Sequence, residues 1–447
     1  MGRLRAVAAE WKPSAVTMGL PTFPLLVLFG LNAVDELDRT AFSVLLPDIR
    51  DHFGLSDSRA LGIVAFSTVA ALLIEIPLSF YADRHNRVRI AMVGAALWAV
   101  FSVGTGLATA VGVLVGMRVG AAGGRAVVTP THSGLLSDWY PPEMRVKVFG
   151  FHRLANSVGQ FLGPAVAGVI AYFLGWRTPF FLFAIPTLVF VLLARRLREP
   201  PRGMHERLAA GATEDAAQLD EAPETAWATM RVLGRVRTLR RIWWAVPFLG
   251  IALFGIPNLL SLVYKDVFGI NPAGRGLIAA GVEPLQIVGV VVGLPFVARM
   301  SERSPRFLLR FIALVGVFDG LVLVVLAYAP NVWVAIAMHS ILATTIGTLA
   351  PAFGAMLSLI APPRCRSAAF STVSVFAVPG IALFLPLIGL ISDSLGIQAS
   401  MLTLVPVSLA AGFLLSSAAP FIEDDIEAVR AESLERVAAT SPLDPNI

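Results

Sequence analysis

Apolar runs of about twenty residues recur along the whole chain, separated by short polar breaks, and a helical run of that length matches the hydrocarbon thickness of a bilayer. Twelve such windows stand out, at 22–47, 60–81, 90–108, 111–138, 147–173, 177–194, 242–266, 275–297, 307–329, 332–360, 368–391 and 400–418. The pattern predicts an all-α membrane protein with twelve transmembrane helices. One long polar segment interrupts it, residues 195–241, which runs from EPPRGMHER through Glu214, Asp215, Asp220, Glu221 and Glu224 to a basic stretch ending at Arg241. The expected organisation is therefore a six-helix bundle over 1–194, a cytoplasmic linker over 195–241, a second bundle over 242–418 and a tail over 419–447. In the tail, Ile422, Ile426, Val429 and Val437 share one helical face with acids opposite, which predicts an amphipathic helix docked on the cytoplasmic side.

The two halves echo one another. Phe53-Gly54-Leu55 returns as Phe268-Gly269-Ile270, Asp83-Arg84-x-x-Arg87 as Glu302-Arg303-x-x-Arg306, Pro141-Pro142-x-x-Arg145 as Pro362-Pro363-x-x-Arg366, and Leu174-Gly175 as Leu395-Gly396. The offsets are 215, 219, 221 and 221 residues, close enough to read as one duplicated six-helix unit. Such repeats mark secondary transporters, whose solute site lies near mid-membrane where the halves meet. With the N-terminus inside, 26 of the 35 Lys and Arg residues fall on the cytoplasmic side and 5 outside (Arg50, Arg59, Arg177, Lys265 and Arg275). That bias predicts both termini in the cytoplasm of a plasma (inner) membrane protein.

Composition narrows the class. The chain is 56% hydrophobic and 15% charged, against about 25% charged in a typical soluble domain. The single cysteine, Cys365, excludes an intramolecular disulfide framework, and no cluster has metal-ligand spacing. The start of the chain lacks an apolar region followed by a cleavage site, so no removable signal peptide is expected. No P-loop or G-x-S-x-G stands in the sequence, so neither ATP drive nor hydrolysis is supported, and the chain is not expected to be an enzyme. The net charge of +5 follows the topology bias and does not point to nucleic acid. Expected partners are a small-molecule substrate and the lipid bilayer, around a monomer. No cofactor is expected, and energy would come from a proton gradient.

The charged residues inside the spans carry the chemistry. The first span contains LNAVDELDRTAF (31–42), with Asp35, Glu36, Asp38 and Arg39 within five residues. Asn32, Asp35 and Arg39 lie on one helical face, which favours an Asp35–Arg39 ion pair, with Glu36 and Asp38 flanking the stripe on opposite sides. In the fourth span, Arg118, Arg125, Thr129 and His132 fall within an arc of roughly 40°. A charge at that depth costs at least about 2.5–3.5 kcal/mol, so it faces the interior and has a partner. With every group ionised the first span carries a net charge of −2 and the fourth +2, so the two are expected to neutralise one another. In the second half, Glu283 and Gln286 face one side of the eighth span, and Asn258 stands mid-span beside Pro257 in the seventh.

SFYADRHNRVRI (79–90), at the cytoplasmic end of the second span, resembles the major facilitator superfamily motif G-x-L-A-D-R-x-G-R-R through Asp83, Arg84 and Arg87, with Ser79 and Asn86 in place of its glycines. The D-R-x-N-R form is similar to the spinster-like branch. The resemblance implies two pseudo-symmetric six-helix bundles and a conformational latch at Asp83, Arg84, Arg87 and their echo Glu302, Arg303, Arg306. Gly150, Gly159, Gly163 and Pro164 in the fifth span have the spacing of the helix 5 motif of antiporter branches, which equally serves tight packing. Asp38-Arg39 and Arg118 resemble positions of spinster-like and anion:cation symporter-like members. Where those members carry a glutamate in the fourth helix, this chain reads Gly123-Gly124-Arg125-Ala126.

Three readings follow. The first is proton-coupled export of a small amphipathic or lipid-like solute by alternating access. In it Asp35, Glu36, Asp38 and Glu283 carry protons, and Arg39, Arg118, Arg125, His132, Asn258 and Gln286 meet the substrate or balance charge. The second is proton-coupled uptake of an organic anion, bound by Arg39 and Arg125. The third is a receptor or scaffold built on a transporter fold.

Overall fold

A computed structural model describes residues 12–82, 84–201, 226–361, 366–429 and 431. Twelve spans are present among them: α1 (Phe23–Phe53), α2 (Asp57–Ala82), α3 (Arg87–Leu107), α4 (Val111–Arg125 and Val128–Trp139), α5 (Pro142–Leu174), α6 (Thr178–Ala194), α7 (Arg237–Asp266), α8 (Pro272–Val282 and Leu285–Arg303), α9 (Pro305–Ala327), α10 (Val332–Ile360), α11 (Arg366–Leu395) and α12 (Ile397–Ala418). Among the described residues, ten stretches are long and apolar enough to cross a membrane. Thr178–Ala194 is shorter, at 17 residues. In α1, the charged quartet interrupts the apolar run.

Two spans predicted as continuous are broken, each by a proline. Pro130 has no N–H for the carbonyl of Ala126, so α4 turns at Ala126–Val127, and the Ala126 N–H is shared between the carbonyls of Ala122 (3.1 Å) and Gly123 (3.3 Å). Pro284 disfavours helix at Glu283, and α8 restarts through short-range bonds from Gln286 N–H to Glu283 O (3.1 Å) and from Ile287 N–H to Pro284 O (3.0 Å). Both breaks stand beside an ionisable residue, Arg125 or Glu283.

The repeat has a conformational basis. Gly54 and Gly269 close α1 and α7 at φ 60° and 65°, and Gly175 and Gly396 follow α5 and α11 at φ 83° and 90°. These are left-handed backbone positions that a side chain would strain, so each duplicated glycine ends the equivalent helix in the same way.

Contacts divide the chain into two compact units, Met1–Ala222 with Tyr264–Gly281, and Pro223–Val263 with Val282–Ile447. In the first unit, glycines of α5 bring backbones into direct contact. A Cβ on Gly159 would meet Ala33 O at 2.8 Å, one on Gly163 would meet Leu37 O at 2.8 Å, and one on Gly168 would overlap Pro272 O on α8. The blocking atoms are mostly backbone and have little freedom to move aside. Gly163→Val is therefore expected to cost at least about 1–3 kcal/mol by overpacking. A thermal melt of the purified protein would show this as a clear drop, whereas Gly112→Ala, with nothing within 4 Å, should leave the melt unchanged.

At the predicted outer end of this unit, residues expected to be plain loop charges form a cap. Arg50 donates to both oxygens of Asp266 (2.6 and 2.7 Å) and to Asp57 (2.7 Å). Lys265 pairs with Asp51, and the buried Arg275 pairs with Asp48 and donates to Ile270 O at 2.8 Å.

In the second unit, α8 and α10 approach closely at Gly289 and Gly347, where a Cβ would overlap the carbonyls of Thr344 and Gln286. Beyond α12, a 3₁₀ turn (Ala419–Phe421) leads into helical residues 422–429. Glu423 pairs with Arg306 (2.8 Å), and Asp425 accepts from the Thr238 N–H (2.6 Å) near the start of α7. The described part of the tail thus docks on its own unit. Its remainder, like Cys365 and most of the linker, lies outside the described residues.

Candidate functional site

The charged quartet of α1 falls in the middle of the first unit, and its members part toward two neighbours. Asp38 is completely buried and faces α3 and α4. It accepts from Ser102 Oγ (2.7 Å) and Arg118 Nη1 (3.2 Å), and lies 3.5 Å from Arg125 Nη1. Arg118, 3% exposed, also stacks on the Phe42 ring at 4.0 Å. Asp35 Oδ1 lies 3.4 Å from Arg125 Nε, an ion-pair distance without hydrogen-bond geometry. Glu36 turns toward α5, accepts from Gln160 Nε2 (3.0 Å), and is held by Arg39 through Nε (2.9 Å) and Nη2.

Three carboxylates and three guanidinium groups therefore cancel, as charge balance between the first and fourth spans requires. The partners differ from those expected within the first span. Arg39 bonds Glu36 at i, i+3, not Asp35 at i, i+4, and Asp35 is left to Arg125. The cause is tertiary. Gly159 lets α5 sit flush against the Glu36 side of α1 and supplies Gln160 there, while Arg125 approaches from the opposite side.

The strength of these contacts is uneven. Asp38 and Glu36 are bound by good hydrogen bonds. Asp35 Oδ1, Arg118 Nε and Arg125 Nη1 are buried without a hydrogen-bond partner among the described residues. Buried polar atoms are nearly always satisfied, so three exceptions in one charge set single out Asp35 and Arg125 as the loosely held pair. A carboxylate so placed can take up a proton, and protonation releases the guanidinium for another anion.

His132 belongs to the same unit but does not meet the arginines. Its Nδ1 lies 3.2 Å from Nε2 of His152 on α5. Glu283, Gln286 and Asn258 belong to the second unit. Gln286 Nε2 donates to Glu283 across the α8 break, and Asn258 donates to Phe254 O (2.8 Å) with its own oxygen buried and without a hydrogen-bond partner among the described residues.

The motif after α2 is built around Arg87. Asp83 lies outside the described residues, and Arg84 is exposed. Arg87 is buried, and donates to Asp138 (2.5 Å) at the end of α4 and to Glu199 (2.7 Å) after α6. Asp138 and Glu199 were not among the expected latch residues, although Asp138 closes the fourth predicted span and Glu199 follows the sixth by five residues. Asn86 accepts from the Arg89 N–H (2.8 Å) and caps α3, which gives this departure from the glycine of the motif a structural use. In the echo, Arg306 pairs with the tail through Glu423. Glu302 and Arg303 occupy the last turn of α8, with their side chains outside the described set. Gly159, Gly163 and Pro164 lie where α5 meets α1 and the start of α8, and Gly150 lies farther toward the start of α5.

The sequence profile of the Major Facilitator Superfamily matches residues 28–347. The chain is 25% identical to the cis,cis-muconate transport protein of Acinetobacter baylyi over 70% of this chain and 75% of that protein. It is 25% identical to the hexuronate transporter of Bacillus subtilis over 40% of this chain and 42% of that protein, and 26% identical to the protein spinster of Drosophila melanogaster over 41% and 31%. Several curated relatives are thus matched over less than half their length. In fold, the chain is similar to a bacterial homologue of the human lysosomal transporter Spinster solved in an inward-facing, unoccupied conformation. That likeness has a TM-score of 0.77 and 20% identity, over 90% of this chain and 98% of the other.

Proposed function

We propose that this chain, which belongs to the Major Facilitator Superfamily and is a membrane transporter and not an enzyme, carries a carboxylate-bearing organic solute together with protons. The observation that carries this reading is the loose Asp35–Arg125 pair inside an otherwise tightly bonded charge set. While Asp35 is ionised it neutralises Arg125. Once it is protonated, Arg125 needs another anion, and a solute carboxylate supplies one by a charge-assisted bond. Proton and anion then enter the site together, and the buried charge remains balanced at every step. The names of the hexuronate and muconate relatives agree with an organic acid as cargo. On the sequence alone, export of an amphipathic solute comes first; the loosely held Arg125 supports an organic anion as cargo instead. Export by antiport remains a second reading, favoured by the glycine packing of α5 and by similarity to multidrug resistance protein Stp of Mycobacterium tuberculosis, 27% identical over 146 residues.

Transport in proteoliposomes separates the two. A gradient of one pH unit supplies about 1.4 kcal/mol per proton, enough for about tenfold accumulation of a co-transported solute. With the outside acidic, a labelled hexuronate or muconate should accumulate roughly tenfold and lose that accumulation on addition of a protonophore. Solute movement against the proton flux would establish antiport instead. Binding without gradient-driven flux of any acid would defeat both readings.

A further inference from the structure

We propose that His132 and His152 together form a one-proton transfer station between Asp35 and the cytoplasm. The proposal rests on the proton-coupled reading above. The two imidazoles face each other across α4 and α5, with Nδ1 of His132 and Nε2 of His152 3.2 Å apart and the rings nearly perpendicular at 81°. His132 is 2% exposed. In the neutral pair one nitrogen donates and the other accepts. An added proton leaves an imidazolium hydrogen-bonded to a neutral imidazole, and a second would set two like charges in contact in a low-dielectric interior. The pair therefore stores one proton and passes it across a single hydrogen bond.

Its location fits transfer. Asn32, one turn before Asp35 on α1, donates to Asn156 Oδ1 (2.6 Å) and to the carbonyl of His152 (3.4 Å). Asn156 stands one turn beyond His152 on α5. At about 1.5 Å per residue, Asn32 to Asp35 covers about 4.5 Å of helix and His152 to Asn156 about 6 Å. The two amides thus line the stretch between the histidines and the carboxyl group. On the other side, Asp138, paired with Arg87, follows His132 by six residues, about 9 Å toward the predicted cytoplasmic end. The pair thus lies between the charge set and the ion pairs at the cytoplasmic face. Asn32 faces it from α1 without charge, with Asp35 a turn beyond. Arg125 precedes His132 by about two turns on α4, and Arg153 adjoins His152 and is exposed. In the step itself, the O–H bond of Asp35 breaks, an N–H bond forms on the pair, and the imidazolium later gives that proton to cytoplasmic water. No electrons change hands.

The test uses the full chain in oriented proteoliposomes, with His132→Asn, His152→Asn and the double variant. Cytoplasmic-side pH is varied from about 4 to about 8, a window widened downward because burial disfavours the charged imidazolium, at fixed external pH. Wild-type gradient-driven flux should show a step across this window. Each single variant should flatten that step and slow turnover about tenfold, with the double variant no worse than either single one, because the two act as one site. The dependence on external pH should keep its wild-type shape. A wild-type cytoplasmic-side profile in the variants, or additive losses, overturns the proposal while leaving proton coupling intact. A wild type without gradient-driven flux overturns both. Where a variant does not fold, ¹⁵N-histidine NMR of the wild type in nanodiscs decides. One linked protonation step across both rings supports the station, and two independent steps, or none, refute it.

Discussion

Asp38→Asn is expected to lower the stability of the protein by about 3–5 kcal/mol, the usual effect of removing one partner from a buried ion pair. Asp38 has no solvent exposure, and its carboxylate is the hydrogen-bonded anion of Arg118. Without it, Arg118 keeps the Phe42 ring as a partner, and Arg125 keeps only the loosely held Asp35. One uncompensated positive charge then remains among buried groups. At about 2 °C per kcal/mol for a large domain, the melt in detergent should fall by about 6–10 °C. The compensated double variant, Asp38→Asn with Arg118→Gln, should recover much of the loss, since it removes the orphaned charge. A single variant that melts with the wild type would show that Asp38 does not hold the arginines as the geometry indicates.

Asp35→Asn should act on coupling more than on stability. The amide keeps the size and polarity of the side chain but cannot carry a proton. Gradient-driven accumulation is expected to collapse to equilibration, a loss of about tenfold for each pH unit of gradient, while downhill exchange continues at a reduced rate. Glu36→Gln offers the contrast. Glu36 is clamped by Arg39 and Gln160, so its loss should disturb the α1–α5 contact more than the proton count. Solute accumulation measured with and without an imposed pH gradient reads both variants. Undiminished accumulation in Asp35→Asn would remove this residue from the mechanism.

Much of this was legible in the sequence, and the exceptions share a physical cause. The spans follow from hydropathy because the bilayer leaves few alternatives. The opposition of α1 and α4 follows from the need to neutralise buried charge. The individual pairings do not follow, because i, i+3 and i, i+4 neighbours on one helix are nearly equivalent in energy. A neighbouring helix makes the choice, as Gln160 does for Glu36. The break in α4 had a visible signal in Pro130, but an apolar window averages over a proline. Arg87 announced itself through its motif, yet its acids lie far away in sequence, at Asp138 and Glu199. The outer cap was hidden for the same reason. Arg50 in a predicted outer loop and Asp266 at the end of the seventh predicted span look unrelated until the fold brings them within 2.6 Å.

The glycine contacts of α5 have a mechanical consequence. Where Gly159 and Gly163 meet α1, and Gly168 meets the head of α8, glycine backbone rests on backbone and on the short stems of Glu36 and Thr40, with little compressible side-chain layer between. Side chains absorb small displacements by changing rotamer, and here few are available to do so. A shift of α1 when its acids gain or lose a proton would therefore reach Pro272 almost undamped. In this unit, stiffness carries the signal: α1, α5 and the head of α8 travel as one piece, and a displacement too small to open a gate at one point would be delivered intact from one end of that contact to the other.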